Sequence, residues 1–419
     1  MNLLQNELKR PTNLKRSSLW YSIGTMTFAV SSVFLLLVVT RLEGANSAGI
    51  FSIGWAVCQL MYTIGLFGTR SIQVSDLESR YPDKIFFQSK LVTIAAMLIG
   101  SLIYSWILHF SIEKYLISFL LTLLMSAETL GDAFSGFLQK RERLDLSGKS
   151  YFFRIITYDI IFLLFLVATH NMIVAIFAAC VVSYLWLFLI DYQWVRMIGY
   201  LHIDFEFKTT VYLLRECFPI FISAFLTNYI VNIPKNSIEL FLSNDLQATY
   251  NVLFMPSAII TLFLSFVLVP MYTQISSSWL YRDLSKFKKI VGRILFSITL
   301  LTIFFALAGY FIGIPILSVI YHLNLSSFKS QFVFLIIGGG INSLATFLVY
   351  ILTVFKRQKI LTYVYLVTAI FTTFISNTWV KMHGITGASF IYLVSISMIG
   401  IFLIIISLIN YAKLKNKRQ

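Results

Sequence analysis

Stretches of about 20 apolar residues recur along this chain from end to end, and no other feature of the sequence narrows the possible folds as far. A helix of that length crosses a hydrocarbon core of about 30 Å, and inside lipid only helices and closed barrels satisfy their own backbone hydrogen bonds. Twelve such stretches fall at about 17–40, 49–70, 87–108, 116–138, 151–169, 172–192, 213–241, 248–270, 291–313, 331–353, 360–380 and 385–410. Of 419 residues, 58% are hydrophobic and 12% charged, more apolar than a soluble domain of this size needs. The expected class is an all-α polytopic membrane protein. Connections are short, and the longest interior one, 193–212, separates six spans from six, giving lobes 1–205 and 206–419.

Charge sets the expected orientation, because Lys and Arg accumulate on the cytoplasmic side. With the N-terminus inside, 28 of the 33 basic residues fall on interior segments and 5 (Arg41, Lys114, Lys235, Lys329 and Lys381) on exterior ones. A different span count would scramble this alternation, so both termini are expected in the cytoplasm. The net charge of +15 then reflects topology and contact with anionic lipid, and no basic tract stands on a soluble module that would bind nucleic acid. The first apolar stretch, following KRPTNLKRSS, is too long for a signal-peptide core and reads as a retained span. Cys58, Cys180 and Cys217 are scattered, which excludes a disulfide framework or a zinc site. Neither HExxH nor GxxxxGK[ST] occurs, and no constellation suggests an enzyme.

The two halves echo each other. EGANSAGIFSIGWAV (43–57) and SNDLQATYNVLFMPS (243–257) each give a short polar loop, a small residue (Gly49, Ala248) and an aromatic two positions later (Phe51, Tyr250). Repeated halves are typical of transporters, with the substrate site near the midplane. Charged groups at that depth cost at least about 3 kcal/mol unless paired or hydrated, so the polar residues inside the spans are the candidate sites. In TNYIVNIPKNSIE (227–239), Asn228, Asn232, Lys235 and Glu239 are spaced to share an arc of about 60° on one helix face. Lys235 either snorkels and pairs with Glu239, or stands with the two amides as part of a cavity wall. In the fourth span, Glu128 and Asp132 are one turn apart; in the fifth, Arg154 lies near the expected depth of Asp132, and Asp159 near the middle. An Arg154–Asp132 pair would lock two helices, while Glu128 and Asp159 have no evident basic partner and suit proton or sodium coupling or a sugar contact; Asp132 is a third candidate for coupling. Gln59, Tyr229 and Tyr250 are candidate sugar contacts, the aromatic ones by stacking. The triple glycine 338–340 suits close packing, and no cofactor is expected.

RLEGANSAGIFSIGWAVCQLMYTIGLFGTRS (41–71), GFLQKRERL after the fourth span, CFPIFISAFLTNYIVNIPKNSIELFLSNDLQATYNV (217–252) and FVLVPMYTQIS (266–276) together resemble the polysaccharide-transport proteins of the multidrug/oligosaccharidyl-lipid/polysaccharide (MOP) exporter superfamily. The likeness extends over essentially the whole chain. It implies twelve transmembrane helices in two six-helix bundles around a central cavity, opened alternately to each side. It further implies a flippase of the plasma (inner) membrane that moves an undecaprenyl-pyrophosphate-linked oligosaccharide repeat unit outward for O-antigen or capsule synthesis, acting beside a glycan polymerase and other assembly proteins. Basic residues facing the anionic substrate would then be Lys235, with Arg41, Arg70 and Arg154. A small-molecule or drug/cation antiporter of the same superfamily is the alternative.

Overall fold

The computed structural model describes residues 7–8, 14–75, 80–199, 205–281, 283–355, 357 and 359–416. The basic positions 9, 10, 282, 356, 417 and 418, and residues 200–204 of the 193–212 connection, lie outside the described residues. Every element is helical: α1 (Leu14–Leu66), α2 (Thr69–Ser75), α3 (Asp83–Ile107), α4 (Ile112–Lys140), α5 (Leu144–Thr169), α6 (Met172–Trp186), α7 (Tyr192–Ile198), α8 (Phe207–Phe241), α9 (Asn244–Leu280), α10 (Leu284–Ala308), α11 (Ile314–Tyr321), α12 (Lys329–Val354) and α13 (Lys359–Asn416). One π-turn, Leu187–Asp191, joins α6 to α7, and another, Gly309–Gly313, joins α10 to α11. Nine helical stretches among the described residues are long and apolar enough to cross a membrane.

Two of these stretches are too long for a single crossing. At 1.5 Å per residue, α1 and α13 would each extend about 80 Å or more. Each is broken at one glycine with left-handed backbone, Gly44 (φ 83°) and Gly384 (φ 58°), a conformation that costs other residues energy. The second arm of α1 ends at Leu66, because Phe67 and Gly68 both turn left-handed. His109, His170 and His322 likewise adopt positive φ just beyond helix C-termini, where the imidazole-bearing backbone tolerates the left-handed turn. Helix starts carry their own signals: the side chains of Ser111, Asn171 and Asp283 accept from backbone N–H groups of the first turn. By contrast, α8 continues as helix through both Pro219 and Pro234.

The chain forms two compact units, residues 1–225 and 226–419, the division falling within α8. In unit 1, α1 packs on α3, α4 and α5, and α6 packs on α4 and α5. The central position of α4 shows in its apolar window, 72% of which is buried. The first half of α8 is fastened to the start of α3: Leu213 and Cys217 pack with Ile85 and Phe86, and Phe221 stacks on Phe67 at 4.2 Å. In unit 2, α12 packs on α9, α10 and α13. Its triple glycine permits this, since a Cβ on Gly338, Gly339 or Gly340 would meet Tyr392, Ser257 or Thr302 within 2.1–2.5 Å. The three cysteines are buried and form no disulfide.

Candidate functional site

Unit 1 encloses two ionic clusters and one carboxylate that stands apart. In the first cluster, Arg154 of α5 donates from Nε to Glu128 Oε1 (3.0 Å) and from Nη2 to Glu128 Oε2 (2.6 Å), both on α4. Its Nη1 donates to Asp191 Oδ2 at 2.9 Å. All three side chains are buried, at 3%, 1% and 3% exposure. Two local features create this geometry. Gly131 lies under the guanidinium, where a Cβ would come within 2.6 Å of Nη2. The π-turn ends on Asp191, and the extra residue in such a turn re-aims side chains relative to a regular helix. The cluster carries one net negative charge when fully ionised.

In the second cluster, Asp132 of α4 accepts from Arg70 of α2 (3.0 Å) and from Lys90 of α3 (2.9 Å). Lys90 also donates to the Leu66 carbonyl at 2.9 Å, and Arg70 to Gln139 Oε1 at 2.7 Å. The Arg70 guanidinium lies 5.2 Å from the Tyr21 ring centroid. Two cations share one carboxylate, so this cluster carries one net positive charge.

The expected Arg154–Asp132 pair is therefore not made. Arg154 reaches one turn further along α4, past the bare Gly131, and neutralises Glu128, which had no evident partner in the sequence; Asp132 is held by Arg70 and Lys90 instead. Lys90 and Asp191 were not singled out from the sequence. Lys90 lies seven residues inside α3 and Asp191 inside the continuous helical stretch 172–198, and those depths were the available signal.

Asp159 differs from every carboxylate above. Its Oδ1 accepts from Ser31 Oγ of α1 at 2.7 Å, and among the described residues it has no cation within ion-pair distance. Both residues are buried at the floor of a groove of about 510 Å³ between α1 and α5, whose walls are Ile23, Met26, Val30, Phe34, Ile156 and Ile160.

The start of α3 and the residues leading into α8 are tied by further charges. Arg80 and Tyr81 bind the Glu216 carboxylate at 3.1 and 2.8 Å, and Lys84 binds Glu206 at 2.5 Å. Hydrogen bonds from Lys84 and Thr209 hold the Glu206 carboxyl below its usual range; burial and the Glu216 bond push the Tyr81 phenol up.

In unit 2 the stripe on α8 remains on one helix. Asn232 is buried and donates its amide to the Asn228 carbonyl at 2.9 Å, while Asn228 is exposed and Tyr229 and Glu239 are half-buried. Lys235 lies over the Phe254 ring at 4.6 Å and, among the described residues, pairs with no carboxylate, so the alternative of a Lys235–Glu239 pair is not realised. Tyr250 is 0% exposed with its ring against Phe254, which removes the expected stacking face. Beside the stripe, Ser237 joins Ser376 and Asn377 of α13, each at 2.8 Å. In unit 1, Gln59 is half-buried on α1. No group of three or more His, Cys, Asp or Glu side chains is placed to hold a metal among the described residues.

No family model and no curated protein matches the chain. Solved structures do. One, "Lipid II flippase MurJ, inward closed conformation", aligns with TM-score 0.69 and 14% identity over 92% of this chain and 86% of that one. An inward-facing multidrug resistance MATE family transporter of the MOP superfamily aligns with TM-score 0.61 and 13% identity over 96% and 99%. An outward-facing MATE family transporter aligns with TM-score 0.59 and 11% identity over 96% of both chains. At such identities the likeness establishes architecture, and these neighbours are transporters and a flippase. The chain is a multi-pass membrane protein with the fold of the MOP-superfamily transporters.

Proposed function

We propose that the protein is a flippase that carries a lipid-linked oligosaccharide, anchored through undecaprenyl pyrophosphate, from the inner to the outer leaflet of the cytoplasmic membrane by alternating access, for surface polysaccharide such as O-antigen or capsule. The observation that carries this reading is the polarity of the intramembrane charge. Lys235, in unit 2 on the membrane-length helix α8, pairs with no carboxylate among the described residues, so it offers an uncompensated positive charge to an anionic head. A cation exporter would be served by the opposite sign. The structural likeness to a lipid flippase points the same way.

Twelve crossings fit this reading: nine candidate stretches, of which α1 and α13 each count twice at their glycine breaks, with α9 added. Both termini are then cytoplasmic. The need for a protein follows from hydration, because moving each unpaired sugar hydroxyl into hydrocarbon costs about 4–8 kcal/mol. Within unit 2, Asn228, Asn232 and Glu239 would offer hydrogen bonds to hydroxyls, Tyr229 a ring face, and Lys235 a charge-assisted bond to phosphate. Arg154, saturated by Glu128 and Asp191, serves to fix α4, α5 and α6 instead of touching substrate. Outward movement of an anion gains about 2.3 kcal/mol per charge per 100 mV when the interior is negative. Proton or sodium coupling narrows from three carboxylates to Asp159, since Glu128 and Asp132 are held by fixed cations. No further cofactor is required.

The deciding experiment compares a null strain with strains complemented by wild type or Lys235→Ala. Lipid-linked repeat units should accumulate on the inner leaflet of the null strain and disappear with wild type but not with the variant. Normal glycan export in the null strain would rule the function out. Small-molecule cation antiport is the second reading; it is favoured by one feature, the Asp159 carboxylate at the floor of an apolar groove, and predicts altered drug sensitivity with normal surface glycan.

A further inference from the structure

The outward side of α10 presents a stripe that changes character along its length. At about 100° per residue, Lys286, Lys289, Arg293, Phe296, Leu300, Phe304 and Leu307 fall within an arc of about 80°. The buried residues of the same helix, Phe287, Ile290, Ile294 and Ile298, face away from that arc. Exposure confirms the stripe: the three basic residues are exposed, and Phe296, Leu300, Phe304 and Leu307 are 67%, 55%, 61% and 56% exposed. Of the nine candidate spans among the described residues, α10 with its continuation α11 is the least enclosed, only 11% of its apolar window being buried.

The three bases of the stripe stand together on one face and, among the described residues, carry no counter-charge. In unit 1, Arg141 is bonded to Asp83, Arg143 to Asp145 and Lys149 to Glu7. On α10, among the described residues, Lys286, Lys289 and Arg293 have no carboxylate within ion-pair distance; Asp283 caps the helix by accepting from the Lys286 backbone N–H. Gly292, exposed just outside this arc, has open space where a Cβ would stand. The three cations span about 10 Å along the axis, and an apolar strip of about three turns follows.

We propose that this face of α10 is a binding site for an anionic phospholipid, with the head on Lys286, Lys289 and Arg293 and the chains along Phe296 to Leu307. Three cations match a head carrying two phosphates better than one carrying a single phosphate, so the site selects a cardiolipin-type lipid. The site is independent of the transported substrate, and the proposal stands or falls separately from the flippase reading.

The test is native mass spectrometry of the full-length protein in detergent, titrated with tetraoleoyl cardiolipin or with dioleoyl phosphatidylcholine. Wild type should retain one cardiolipin at concentrations more than about tenfold below those needed for phosphatidylcholine, and K286Q/K289Q/R293Q should lose that preference by more than about tenfold. Lys288→Gln, a base on the same turn but outside the arc, should change nothing. Where the triple variant fails to fold, Arg293→Gln alone should weaken retention by about fivefold. Equal retention of both lipids by wild type, undiminished retention by the folded variants, or an equal loss in Lys288→Gln would each overturn the proposal.

Discussion

Gly131→Ala sets two physical effects against each other within one helix. On helix propensity alone, alanine should stabilise the interior of α4 by about 1 kcal/mol. The structure predicts the opposite sign. A Cβ at 131 would stand 2.6 and 2.7 Å from Arg154 Nη2 and Nη1, closer than carbon and nitrogen can approach. An arginine end group usually swings aside cheaply. Here it is held by two bonds to Glu128 and one to Asp191, all buried. Displacement breaks one or two charge-assisted bonds worth about 1.5–3 kcal/mol each, and leaves carboxylate oxygens buried without donors. Subtracting the propensity gain, the expected net loss is about 0.5–5 kcal/mol. The measurement is the thermal unfolding midpoint of purified protein in detergent, run as a double-mutant cycle with Arg154→Met. Gly131→Ala should be destabilising in wild type and neutral or stabilising once the guanidinium is gone, because the two sites interact only through it. A midpoint for Gly131→Ala at or above wild type would refute the packing described for Arg154.

Lys90→Met should destabilise unit 1 by about 1–3 kcal/mol, since Asp132 keeps Arg70 but loses a buried charge-assisted bond, with the unfolding midpoint as readout. Asp159→Asn should leave that midpoint near wild type, because the Ser31 bond survives, while abolishing the pH or sodium dependence of export; retained dependence would remove Asp159 from coupling. Lys235→Ala should lower stability by no more than about 2 kcal/mol, the worth of one cation–π contact, yet abolish export of surface glycan in the complemented null strain. Glu206 provides a test of the Lys84–Glu206 tie. Its carboxyl is depressed by Lys84 and Thr209, so its contribution is complete above the carboxylate's unfolded pKa and is lost as pH falls through the lower folded one. Midpoints measured against pH should therefore drop less in that acid window for Glu206→Gln than for wild type.

Much of the architecture was written in residue order. Apolar length marked the membrane helices, and the expected interior loops, where described, coincide with helix ends. The break between the first two stretches was legible at Gly44, inside a polar loop, and the packing role of glycines 338–340 followed from their lack of side chains. Ion-pair partners were not legible in the same way. Helix spacing fixes which residues share a face, but not which residue of a neighbouring helix stands opposite. A shift of one turn along α4 moved Arg154 from Asp132 to Glu128. Asp191 depends on a π-turn, which no residue pattern in LFLID announces, and Lys90 was masked by its place in a basic segment. Tyr250 shows a third limit: an aromatic in a span reads equally as a ligand platform or as core, and only packing against Phe254 decides for core.

Reconstitution tests the proposed function most directly. Purified protein is placed in liposomes carrying a lipid-linked oligosaccharide in both leaflets, with an impermeant glycosidase added outside. Were the protein a flippase, it should expose nearly all of the glycan to the enzyme, and Lys235→Ala should leave about half protected, as in protein-free liposomes. Equal protection with and without wild-type protein, in liposomes where it is folded and inserted, would contradict that function.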